Sequence, residues 1–468
     1  MTRAADIVRL LSRRRTRRLF REFHPAGEAN RAGAAETFPP LVTHDPVRVL
    51  EPAFGVPSRS SGSTRRAVLR LCLGAVAAVG VSVSTVGCDG GDRGEKEDGS
   101  PLPWRRGIGG GSMSSPTVAG GVVYILSSED DTEVLYALDA VTGTEKWTYT
   151  TATSAFFVGS FTTVADGAVY FGSRVGALHA LNAATGTRNW IFDTSDWSHP
   201  AAGGWPFHSP AVADGTVYFS SENGVLRAMN AVTGTEKWSA RMRGTTFDYR
   251  PAVVGGVVYV NWGEIFHAFD AATGAEKWAV VAASTVREDH DFISTSPVVV
   301  GGTVHFGTAG GVLRALDAAT GREKWAFTTG DFVRSSPAVV GGVVYFGSRD
   351  KNVYALDAAT GTKKWTFTAG DSVHASPAVA GGLVYIGSDE GKVYALDTAT
   401  GTERWAFTTC GGRVESSLDV AHGLLYFGCA DGHVYAVNAA TGAGPAPPPA
   451  PSSAPAPSFA PGGSPGAR

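Results

Sequence analysis

Cysteine and methionine are scarce in this chain of 468 residues, with four of each. No two of the cysteines are adjacent. Charge is thin as well: 18% of the residues are Asp, Glu, Lys or Arg, and the net charge is −3. So few charges suit a compact β core. Residues 1–87 hold an excess of Arg and the remainder an excess of Asp and Glu. A mildly acidic body argues against nucleic acid as a partner. The run RRRTRR at 13–18 reads as a solvated tail or targeting segment rather than a nucleic-acid patch. The apolar stretch from Leu71 to Val83 is short for a membrane span.

Glycine, by contrast, is abundant at 60 residues, which suits many tight turns. The phrase LDAATG, or a close variant, recurs with a Trp four residues after its Gly. The complete copies end at Trp147, Trp190, Trp238, Trp278, Trp325, Trp365 and Trp405, and an eighth copy stops at Gly442 with no Trp after it. A period of about 40 residues made of strands and turns is the mark of a β-propeller. The fold class is therefore all-β, with eight four-stranded blades over residues 102–442.

Residues 335–370 show one blade. Ser335 to Val340 reads as an inner strand ending at Gly341-Gly342. Second and third strands follow over Val343 to Gly347 and Val353 to Asp357, and an outer strand over Lys364 to Thr368. The Asp or Asn before each ATG turn (Asp139, Asn182, Asn230, Asp270, Asp317, Asp357, Asp397, Asn438) is expected to bond nearby backbone N–H groups and fix the turn. That role is structural, not catalytic. The Trp of each outer strand is an apolar plate suited to wedging against the next blade. Because the eighth copy lacks one, Trp104 is the expected replacement. Residues 102–106 then supply the outer strand of the last blade and close the ring, which removes exposed sheet edges.

Outside the propeller, 1–63 forms a Pro- and Ala-rich extension with no assigned fold, consistent with a start codon placed too early. Residues 64–88 read TRRAVLRLCLGAVAAVGVSVSTVGC. Arg65-Arg66 resembles a twin-arginine export motif, and Thr85-Val86-Gly87-Cys88 resembles a lipobox whose Cys88 thiol takes the lipid. The competing reading is an uncleaved single-pass anchor. Residues 89–101 read as a flexible linker and 443–468 as a Pro/Ala-rich disordered tail. An exported chain can oxidise its thiols, so a Cys410–Cys429 disulfide is expected.

Candidate binding residues come from the positions where the copies diverge. The loops between blades and those between second and third strands are expected to share the face at the channel mouth. Three residues before the repeat Pro, the copies read Met113, Gly159, Phe207, Asp248, Ser294, Arg334, His374 and Glu415. His208, Tyr249 and Arg250 stand beside them. The selected binding set is His208, Asp248, Tyr249, Arg250, Arg334, His374 and Glu415. Two longer loops carry Trp197 with Trp205, and Glu288, Asp289, His290 and Asp291; the latter four lack a defined metal-ligand spacing, and no metal is expected.

The docking phrase resembles the repeat of quinoprotein eight-bladed propellers over residues 104–442. That family includes pyrroloquinoline-quinone dehydrogenases and scaffold propellers such as the outer-membrane assembly lipoprotein. The enzymes imply a quinone held between a Trp and a disulfide of adjacent cysteines, with a Ca²⁺ ion and an Asp base. This chain has no adjacent cysteines and lacks long insertions; Asn261-Trp262 is the one faint echo. The expectation is a monomeric, non-enzymatic, cofactor-free scaffold on the outer face of the cytoplasmic membrane, binding an envelope protein or cell-wall ligand. The alternative is a pyrroloquinoline-quinone-dependent dehydrogenase of the envelope.

Overall fold

The computed structural model describes residues 102–109, 112–129, 132–152, 162–173, 176–193, 209–221, 224–243, 250–282, 292–409 and 411–445. These residues form eight antiparallel sheets, the blades of an all-β propeller, and contain no helix. Within each blade the chain meanders through neighbouring strands. The first strand of each blade contacts the first strand of the next, and that of blade 8 (Asp419–Ala421) contacts that of blade 1 (Thr117–Ala119). These first strands therefore line the central channel, and the ring is closed.

Blade 6 consists of Ala338–Val340, Val343–Gly347, Asn352–Asp357 and Lys363–Thr368. Its first strand is shorter than the sequence reading, because Ser335 and Ser336 belong to the loop leading in. Blade 7 consists of Ala378–Ala380, Leu383–Ser388, Lys392–Asp397 and Glu403–Thr408. Blade 8 takes Asp419–Ala421, Leu424–Cys429 and His433–Asn438 from the C-terminal end. Its outer strand is Trp104–Gly107, beginning two residues later and ending one residue later than the expected 102–106, with Trp104 opposite Ala436. The other docking tryptophans face Ala in the same way, as Trp325 faces Ala315 and Trp365 faces Ala355. Blade 1 gains a fifth strand, Ser112–Met113, on the edge of its second.

One joint repeats eight times. Each indole Nε1 donates to a carbonyl in the ATG turn of the following blade: Trp104 to Ala140 at 2.9 Å, Trp325 to Ala358 at 3.1 Å, Trp365 to Thr398 at 3.0 Å. The same holds for Trp147, Trp190, Trp238, Trp278 and Trp405. A second-strand side chain, usually Tyr, shares the acceptor: Tyr426 OH donates to the Ala140 carbonyl at 2.9 Å, and Tyr345 OH to that of Thr398 at 3.2 Å. Each carbonyl thus receives two donors, so blade docking satisfies polar groups while burying apolar surface.

The Asp and Asn side chains before each ATG cap the turn. Asp357 Oδ1 accepts the backbone N–H groups of Ala359 and Thr360, both at 3.1 Å. The outer strand adds a cation: Arg404 reaches Asp397 at 2.7 Å and Lys364 reaches Asp357 at 3.3 Å. The Arg404 bond, then backbone and hydroxyl donors of Thr400, pull the Asp397 pKa down to about 2. Lys277 and Lys364 lower Asp270 and Asp357 likewise. A carboxylate depressed in the folded state stabilises it above the unfolded pKa, near 3.9. That stability is lost as pH falls through the folded value. His179 adds to the trend: burial pushes its pKa down to about 4, so its contribution fades as pH drops from about 6.5. Thermal melts between pH 7 and 2 are therefore expected to fall most steeply below about pH 4. The Asp397→Asn variant, which keeps the cap as natural Asn182 does but loses the charge paired with Arg404, should melt lower than the wild type at pH 7, converge with it in acid, and so show a shallower acid limb. An identical acid limb would refute this assignment.

Candidate functional site

The loops leading into blades 6, 7 and 8 carry the pairs Val333-Arg334, Val373-His374 and Val414-Glu415. Each Val is fully buried and fills a slot left by a glycine in the preceding blade. A Cβ on Gly307, Gly347 or Gly387 would meet Cγ1 of Val333, Val373 or Val414 at 2.4, 2.2 or 2.5 Å. Backbone bonds pin the same loops: Val373 N–H donates to Ser348 O at 3.1 Å, and Val414 N–H to Ser388 O at 3.3 Å. The turns between second and third strands join on the same side. Arg349, Asp389 and Ala430 donate their N–H groups to Phe332, Ser372 and Arg413 at 2.8, 2.9 and 2.9 Å. Lead-in loops and these turns therefore form one face. With each Val turned in, Arg334 and Glu415 are exposed and His374 is half-buried.

These contacts gather a charged cluster. One ligand atom each of His374, Asp389 and Glu415 lies within 4.8 Å of the other two. Arg413 stands 3.5 Å from Glu415 and 3.8 Å from Asp389. Arg334 and Arg349 lie close enough to act on the imidazole, and the Arg349 guanidinium covers the Phe332 ring at 5.5 Å. Burial pushes the His374 pKa down and the Asp389 pKa up, disfavouring the charged form of each. His374 Nε2 and Asp389 Oδ1 are buried without a hydrogen-bond partner. Sequence reasoning singled out His374 and Glu415 but not Asp389. The available signal was the divergence of Arg349, Asp389 and Ala430 at equivalent turn positions.

Other expected positions sort differently. Arg250 is exposed directly before Pro251. His208, Asp248 and Tyr249 lie outside the described residues, as do Trp197, Trp205, the Glu288–Asp291 loop, Cys88 and Cys410. Ser294, which aligns with Arg334, is buried, and its hydroxyl donates to the Val333 carbonyl at 2.5 Å. Met113 sits in the extra strand of blade 1 and packs against the core. Trp262 is a core residue, packed with Tyr218, Met242 and Val258, and neighbouring Asn261 is fully buried. Cys429 is a buried thiol, and burial pushes its pKa up to about 12.

Eight blades locked by outer-strand indoles define a quinoprotein-type propeller, and the diverging residues place a charged cluster on its lead-in face. The sequence matches the family described as outer membrane protein assembly factor BamB over residues 93–191, 155–279, 262–375 and 349–444, and the chain belongs to that family. No curated protein matches the sequence. Among solved structures, BamB from Moraxella catarrhalis superposes with a TM-score of 0.58 at 18% identity, covering 72% of this chain and 98% of that one. The quinohemoprotein alcohol dehydrogenase ADHIIG from Pseudomonas putida HK5 gives a TM-score of 0.55 at 17% identity, covering 75% and 78%. The computationally designed protein Ika8 gives 0.57 at 16% identity, covering 69% and 95%. At these identities the structural likeness is one of fold.

Proposed function

We propose that the protein is a non-catalytic scaffold of the cell envelope that docks a protein partner on its lead-in face. The observation that carries this is the charged cluster of Arg334, His374, Asp389, Glu415 and Arg413, the place where otherwise regular blades diverge. Membership of the BamB family supports a holding role. In this reading residues 64–88 export the chain, Cys88 or the uncleaved segment tethers it outside the cytoplasmic membrane, and oxidation there converts the Cys429 thiol, free in the structure, into a disulfide with Cys410.

A quinone is the group the dehydrogenase relatives imply, and the residues do not fit it. The sequence has no adjacent cysteines to form the ring that would face it. Trp262, the one faint echo of a cofactor plate, is locked in the core between blades 3 and 4.

Cross-linking in the native envelope tests the proposal. Replacing Arg334 and His374 by Ala and Glu415 by Gln should remove the principal cross-linked partner while leaving the melting temperature near that of the wild type. An unchanged partner set would exclude this face. Tight quinone and Ca²⁺ binding, with alcohol-dependent dye reduction, would overturn the scaffold reading itself.

A further inference from the structure

We propose that His374, Asp389 and Glu415 form a divalent metal site of zinc type at the junction of blades 7 and 8. The three residues come from separate segments: the lead-in loop of blade 7, the turn after its second strand, and the lead-in loop of blade 8. Their ligand atoms nevertheless lie within 4.8 Å of one another. The second observation is independent of that clustering. The Asp389 side chain is only 9% exposed, yet its Oδ1 has no hydrogen-bond partner, and neither does the buried Nε2 of His374. Leaving two such atoms unpaired costs free energy that a bound cation would offset.

The donor set selects the class of metal. One imidazole with two carboxylates suits zinc and its first-row neighbours; calcium and magnesium take oxygen ligands. Three protein ligands leave a position open for water or for a group from a partner. Bond lengths of about 2.0–2.2 Å require the ligands to draw in slightly. Glu415 has the freedom for this, being exposed on a loop. His374 and Asp389 are already held, the first next to buried Val373 and the second by its N–H bond to Ser372.

The neighbouring cations weaken the site rather than forbid it. Arg413 reaches Asp389 and Glu415 only at 3.8 and 3.5 Å, and its side chain is 64% exposed, so it can swing away. Arg334 and Arg349 flank the imidazole and lower the affinity through charge repulsion. A metal here would deepen the docking proposal by giving the face a coordination point. It requires the same face but no partner.

Titration of chelator-stripped, untagged full-length protein with ZnCl₂ provides the test, read by calorimetry and by metal content after dialysis. The expected result is one zinc per chain, undisturbed by excess Ca²⁺ or Mg²⁺. Affinity should fall about tenfold or more in H374A, D389N and E415Q, and rise several-fold in R413A as the competing charge is removed. E415Q alters an exposed side chain and keeps the test valid if a buried substitution perturbs folding. Co²⁺ should give visible absorption bands that zinc abolishes. Absence of stoichiometric uptake, or uptake unaffected by E415Q and D389N, would overturn the site. Because no partner is present, zinc binding with unchanged cross-links would reject only the docking role, and lost cross-links without zinc binding would reject only the metal.

Discussion

Replacing Trp104 with alanine should destabilise the whole ring by about 3–5 kcal/mol, the usual cost of truncating a buried aromatic. The indole is 6% exposed and donates to the Ala140 carbonyl at 2.9 Å. It packs with Tyr426, whose ring centre lies 6.1 Å away. In the other seven blades a turn of the chain joins the outer strand to the third. At this seam the outer strand of blade 8 comes from the opposite end of the sequence, paired to His433–Asn438 through residues 104–107. Losing the indole therefore weakens both the joint and the hold on a four-residue strand, and frees two ends of chain together. The comparison is Trp190→Ala, which removes an equivalent bond to Ala231 at 2.9 Å from a half-buried indole within continuous chain. Denaturant unfolding should show a larger loss for Trp104→Ala than for Trp190→Ala. Equal losses, or an unaffected Trp104→Ala protein, would mean that the seam is held by something else.

The ring was legible because its signal is periodic. A turn that needs Gly and a joint that needs Trp recur at fixed spacing, and the missing eighth Trp points to residue 104. Strand ends were less legible, since convergence on the channel axis trims first strands to three residues, as at Ala338–Val340. The site was legible in part. Aligning the copies exposed Arg334, His374 and Glu415, but it grouped them with Ser294, whose small hydroxyl is satisfied by backbone carbonyls inside the ring. An Arg or Glu at that position has no such partner and turns to solvent. Asp389 escaped because its importance lies in three dimensions. Only the curvature of the ring sets the turn of blade 7 between the lead-in loops of blades 7 and 8.

Gly361→Ala is expected to cost about 2–5 kcal/mol, although it adds a single methyl group in a turn. Two penalties combine. At a φ of +71° an L-residue pays roughly 1–2 kcal/mol for the left-handed conformation. The new Cβ would also lie 2.7 Å from Cδ2 and Cε3 of Trp325, and overpacking a fixed aromatic typically costs about 1–3 kcal/mol. Gly341 separates the two effects. Its φ is +59°, but a Cβ there meets nothing within 4 Å. The chain itself performs the substitution at this turn position, since Asp166, Asp214 and His422 occupy it with φ of 50°, 48° and 52°. Gly341→Asp should therefore change stability by less than about 1 kcal/mol, because Asp tolerates this region. The docking glycine follows the opposite rule. Gly143, Gly186, Gly234, Gly274, Gly321, Gly361, Gly401 and Gly442 are glycine in all eight copies, and each has the indole of the preceding blade where a side chain would go. If Gly361→Ala and Gly341→Asp unfold at the same denaturant concentration, the glycine of the repeat serves the turn alone. If Gly361→Ala unfolds much earlier, the phrase ATG and the Trp of the blade before it are two halves of one joint.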